Sequence, residues 1–155
     1  MTFLLKAGLL TGHLLVAAVW LGAMTYSFIV VQPRAARELS LERYDRLAQS
    51  LAAGQRWKKL GLMAALAGSG AGLAVGAHGD GSWWAVIALH AGLLVAALAV
   101  FVQVSWRLWP RRLFALPAEL PGVQARFRLV ASVLLVLVGS ACVTGTIAQV
   151  VRTGS

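Results

Sequence analysis

Long apolar runs alternate with shorter polar stretches along this chain. The apolar runs cover roughly Phe3–Val31, Leu60–Ala77, Trp83–Trp109 and Leu129–Val151. A helix needs ~20 apolar residues to cross a bilayer, and each run is near or above that length. The pattern predicts an all-α protein: a single transmembrane domain over residues 1–155, built as an integral membrane four-helix bundle with up-down topology. The first run carries Lys6 and has the look of a secretion signal. It is longer than the ~7–15 apolar residues of a signal core, so it is read as a retained span. Between the first two runs, Leu41, Tyr44, Leu47 and Leu51 share one helical face, and Ser40 is placed to cap it. Glu42, Arg43, Asp45 and Arg46 fall elsewhere on that helix, as in an amphipathic helix lying on the membrane surface. Pro110, Pro117 and Pro121 interrupt the segment before the fourth run and mark a loop there.

Composition sharpens the class. Hydrophobic residues make up 59% of the 155 and charged residues 12%, too apolar a balance for a water-soluble domain. The basic residues set the orientation. Residues 32–59 hold Arg34, Arg37, Arg43, Arg46, Arg56, Lys58 and Lys59, and residues 107–128 hold Arg107, Arg111, Arg112, Arg126 and Arg128. Only Lys6 and Arg152 lie near the chain ends. Positive loops stay cytoplasmic, so both termini and the 78–82 turn are expected outside, in the periplasm of a bacterial inner membrane. The net charge of +9 is accounted for by a basic rim beside anionic lipid, with no nucleic-acid partner.

Two histidines stand out against the apolar background. His13 lies in the first run and His90 in the third. An ionisable side chain inside a span is costly and marks a functional site by default. At ~1.5 Å per residue, His13 lies ~15 Å along its span from Phe3 and His90 ~10 Å along its span from Trp83. Both fall in the outer half of the membrane, which suggests one shared ligand, a haem iron or a copper ion. Cys142 lies at a similar level in the fourth run and is a candidate thiolate for copper, although a lone apolar cysteine is more often a small core residue. His78 in the outer turn could gather a metal at the mouth, but reads first as solvated.

The surroundings extend this site. Ala17, Trp20 and Met24 share the His13 face. Trp20 is too deep to be a belt residue and would lie beneath a macrocycle, while Met24 is too far along to share a metal and reads as packing. Gly68, Gly72 and Gly76 recur every four residues in the second run. That stripe admits either a neighbouring helix or a flat macrocycle. Trp83 and Trp84 at the outer boundary, with Trp57, Trp106 and Trp109 at the inner one, have the placement of an aromatic belt. None of the five acidic residues lies within a span, which lowers a proton-coupled transporter.

The segment from His13 to Ala23, His-Leu-Leu-Val-Ala-Ala-Val-Trp-Leu-Gly-Ala, resembles the first span of the HemJ-type protoporphyrinogen oxidases and of the related CopD copper-resistance membrane domain. Ala88-Leu89-His90-Ala91 is similar to the third-span Leu-His-Ala-Lys of the HemJ type, and Arg126-Phe127-Arg128 to the opening of its fourth span. The resemblance implies a small helical membrane protein that binds haem b or handles copper. Gly92 stands where the HemJ type has its lysine, and Leu129-Val130-Ala131-Ser132 where a polar pair is expected. Those departures remove groups suited to a porphyrinogen substrate and leave both histidines in place.

Three readings follow. The first is a haem b redox protein or oxidoreductase, ligated by His13 and His90 and exchanging electrons with a membrane or periplasmic carrier. The second is a copper-binding or copper-transport protein. The third is a cofactor-free accessory subunit, whose small-residue faces join a homo-oligomer or a larger membrane complex.

Overall fold

A computed structural model describes residues 3–52, 54–75, 77, 79–116 and 118–154. Among them every regular element is helical. Helix α1 (Phe3–Tyr26) runs through a π-helical segment, Ser27–Val31, into α2 (Gln32–Glu38). The surface helix α3 (Leu41–Ala52) turns into α4 (Gln55–Ala74) at Gly54, whose φ of 71° lies in the left-handed region that glycine adopts without strain. Helix α5 (Gly81–Gln103) passes through a second π segment, Val104–Leu108, into α6 (Trp109–Leu113), and α7 (Leu120–Gly154) completes the chain.

Phe3–Glu38, Gly81–Leu113 and Leu120–Val150 are each long and apolar enough to cross a membrane. Their outer surfaces suit lipid: Leu15 is 61%, Val19 66%, Val95 66% and Val136 65% exposed. Helix α4 stands where the second span is expected, but it opens with Arg56, Lys58 and Lys59 and ends at Ala74. Its apolar stretch is therefore the shortest of the four. Trp20, Leu66, Ala97 and Val138, from α1, α4, α5 and α7, form a common core. Ala97 is fully buried. A small side chain at that point lets the helices approach, which is the main source of attraction between helices in lipid.

Helix runs past the predicted boundaries at two places, and proline explains both. Pro33 and Pro110 lie in first turns, where the missing N–H costs least. Each follows a π segment. A proline ring clashes with the carbonyl four residues back, and the wider π register relieves that clash. The Gln32 N–H donates to the Ser27 carbonyl and the Trp109 N–H to the Val104 carbonyl, five residues back. The next bond in that register would need the N–H of Pro33 or Pro110, which does not exist. At the second site Arg56 Nη2 donates to the orphaned Ser105 carbonyl at 2.6 Å, and its guanidinium stacks 4.6 Å from the Trp106 ring centre. Arg56→Ala should then cost ~1.5–3 kcal/mol, the range for a charged hydrogen bond to a buried partner. In a Pro110→Ala background the new N–H supplies a partner, and the cost should fall. Reversible unfolding in detergent measures both, and equal costs in the two backgrounds would refute this account. Pro121 also lies inside a helix, in the first turn of α7, so among the described residues the expected loop narrows to 114–116 and 118–119. Pro117 is outside the described residues.

Three side chains depart from expectation. Trp83 is not a belt residue: it is 4% exposed, and its indole lies so close to Gly79 that a Cβ there would stand 2.5 Å from the ring. Trp109 turns inward against Phe127, with ring centres 6.1 Å apart, while Trp57, Trp84 and Trp106 remain exposed. Asp45 does not face solvent. Helix α3 leaves Leu41, Leu47 and Leu51 outward and buries Asp45 against Arg112 of α6. The start of α5 is fixed by Asp80, whose carboxylate accepts from the Ser82 hydroxyl and the Trp83 N–H. Those bonds hold its carboxyl below the usual carboxylate range.

Candidate metal centre

The two histidines of the long apolar helices meet. His13 on α1 and His90 on α5 have ring centres 6.3 Å apart, with planes inclined by 50°. Each ring is fastened through Nδ1 to a different helix. His13 Nδ1 lies 2.7 Å from Ser69 Oγ of α4. That hydroxyl already donates to the Ala65 carbonyl at 2.6 Å and lies 3.1 Å from the Leu66 carbonyl. Its one proton is committed, so it accepts from His13, and Nδ1 of His13 carries the hydrogen. His90 Nδ1 lies 2.8 Å from the Ala141 carbonyl of α7 and 3.3 Å from Thr144 Oγ1. A carbonyl only accepts, so this Nδ1 is protonated too. In a neutral imidazole the other nitrogen then holds the lone pair. Both Nε2 atoms stand outside these bonds as potential ligands. A ring fixed through one nitrogen and ligating through the other is the usual arrangement of metal-binding histidine.

Glycines make the approach possible. A Cβ at Gly145 would lie 3.2 Å from His90 Cε1 and 3.4 Å from its Nδ1. Gly145 is one turn beyond Ala141, so its bare Cα opens the path to the Ala141 carbonyl. A Cβ at Gly70 would lie 3.5 Å from His13 Cε1, in ordinary contact. An added Cβ at Gly12 of α1, Gly92 of α5 or Gly139 of α7 would meet nothing within 4 Å.

The other expected residues are placed as follows. Trp20 lies in the shared core, 6% exposed. Gly72 meets Leu9 of α1, with 2.8 Å from an added Cβ to the leucine Cδ2, which is helix packing. A Cβ at Gly68 would meet nothing. Gly76 and His78 are outside the described residues. Cys142 is half-buried on α7. Among the described residues no three of histidine, cysteine, aspartate and glutamate come together, so the pair is not extended by Cys142 into a three-ligand site. Sequence reasoning missed Ser69, Gly70, Ala141, Thr144 and Gly145. Hydroxyls beside glycines, in Gly68-Ser69-Gly70 and Thr144-Gly145, were the available signal.

The two imidazoles are the groups of this site that could hold an ion. With a metal–nitrogen bond of ~2.0–2.1 Å, a ring centre stands ~3.2 Å from the metal, and two rings on opposite sides stand ~6.4 Å apart. The observed 6.3 Å agrees with that spacing. No protein-family model, curated protein or solved structure matches the chain.

Proposed function

We propose that the chain is a membrane redox protein that holds one b-type haem between Nε2 of His13 and Nε2 of His90. The carrying observation is the pair itself: two imidazole rings with centres 6.3 Å apart, each with Nδ1 hydrogen-bonded to another helix. A bound haem would supply a one-electron couple, which two imidazole ligands make suited to electron transfer. The chain's residues would fix ring orientation through Ser69 and Ala141 and exclude water with the core at Trp20. Four spans, with both termini periplasmic, would place the pair in the outer half of a bacterial inner membrane, within reach of a membrane or periplasmic carrier. Basic residues concentrated at the opposite end support that orientation. The HemJ and CopD resemblance supports a haem or copper site. Gly92 in place of the family lysine favours electron transfer over tetrapyrrole oxidation, because a carboxylate-bearing substrate in an apolar bundle needs a fixed cation.

A visible spectrum of detergent-purified protein tests this. The expected result is a Soret band and, after reduction, sharp α and β bands. Copper co-purifying without those bands would instead support the copper reading, and neither cofactor would favour the accessory subunit. Reporter fusions at Ser155 and in the 78–82 turn should read as periplasmic, and near Ser50 as cytoplasmic. A cytoplasmic C-terminus would overturn the orientation.

A further inference from the structure

A cleft of about 690 Å³ opens at the end of the helices away from the histidine pair. On α5 its wall begins at Phe101, eleven residues past His90, and on α7 it stops at Leu135, six before Ala141. Its volume falls within the ~300–1,000 Å³ of small-molecule sites. The floor is apolar, with Trp20, Met24, Phe101, Phe127 and Leu134. The rim is cationic: Arg56, Lys59, Arg112 and Arg128 line it, and no carboxylate does. Asp45 neutralises Arg112. Arg56 donates to a carbonyl, which leaves its charge uncompensated. Lys59 and Arg128 are exposed on the rim. Gln124, also in the lining, has a buried amide nitrogen without a hydrogen-bond partner.

We infer that this cleft binds an anionic phospholipid, its phosphate among Arg56, Lys59 and Arg128 and its acyl chains on the aromatic floor. Charge complementarity selects the class. Three cations without a carboxylate partner, in a lining that holds no carboxylate, attract a headgroup of net negative charge and offer nothing to the ammonium of a zwitterionic one. The apolar floor gives a free phosphate no partner but holds hydrocarbon well. The inference is independent of what the histidines bind.

The test compares retained lipid, by native mass spectrometry, after the delipidated full-length protein is mixed with phosphatidylglycerol or phosphatidylcholine. Phosphatidylglycerol should be retained in clear preference. Lys59→Gln with Arg128→Gln should reduce that preference by about tenfold or more. Arg34→Gln with Arg37→Gln, exposed basic residues outside the cleft, should leave it intact. Ala131→Phe keeps every charge, fills the floor, and should also reduce retention. Equal losses in the two charge variants would overturn the site in favour of diffuse surface attraction. Displacement of the lipid by inorganic phosphate at equal concentration would reduce it to a simple anion site and overturn the lipid assignment.

Discussion

At the haem site proposed above, His90→Ala is expected to remove most of the haem or to convert what remains from low spin to high spin, and His13→Ala to do the same. This is the largest spectroscopic effect expected of any single substitution. Each variant deletes one of the two imidazoles that would hold the haem, and no third histidine, cysteine or carboxylate joins the pair among the described residues to replace it. The supporting shell should give graded effects. Ser69→Ala frees His13 Nδ1 from its acceptor, and the loss of such a partner typically weakens binding ~10–100-fold. Gly145→Ala keeps both ligands but puts a methyl 3.2 Å from His90 Cε1. The ring is pinned by the Ala141 carbonyl and must tilt, which should shift the reduced α band without abolishing it. Spectra and haem content unchanged in both histidine variants would sink the ligand assignment. A normal spectrum in Gly145→Ala alone would mean only that the ring has room to yield.

Asp45→Ala destabilises the protein by ~3–5 kcal/mol, the cost of leaving a buried charge without its partner. Asp45 and Arg112 are 6% and 7% exposed. Arg112 Nε donates to Asp45 Oδ1 at 2.8 Å, and Nη2 lies 2.7 Å from the same oxygen as a charge contact. Gln49 Nε2 donates to Oδ2 at 2.7 Å, so both carboxylate oxygens are engaged. The guanidinium carbon lies 5.1 Å from the Phe127 ring centre and 5.8 Å from that of Trp109. The pair fastens the surface helix α3 to α6 across 67 residues of sequence. Replacing both members with apolar residues, Asp45→Leu with Arg112→Met, should recover much of the loss, because desolvation of the charges then disappears. Unfolding of the single and double variants in detergent measures this. A double variant as unstable as the sum of the two singles would show that the charges do not interact.

Helical class, the long apolar stretches and the position of each histidine along its helix were legible in the sequence. Hydropathy is a sum along the chain, and a helix rises a fixed distance per residue, so neither property depends on which helix packs against which. The meeting of His13 and His90 could be anticipated for the same reason, since residues at one depth on two helices of a bundle have few places to be. What only the tertiary structure decided was the rotation of each helix about its axis. A change of one residue turns the face by ~100°, given 3.6 residues per turn. That rotation puts Ser69 and Gly70, rather than the Gly68 and Gly72 stripe, beside His13. It sets the Ala141 carbonyl and the bare Cα of Gly145 against His90, 51 and 55 residues along the chain. It also turns Asp45 inward while its leucine neighbours stay out. A main-chain carbonyl carries no residue identity, so no sequence pattern names Ala141 or Ser105 as an acceptor. The proline that orphans one of these carbonyls and the arginine that satisfies it lie 54 residues apart, and only packing brings them together.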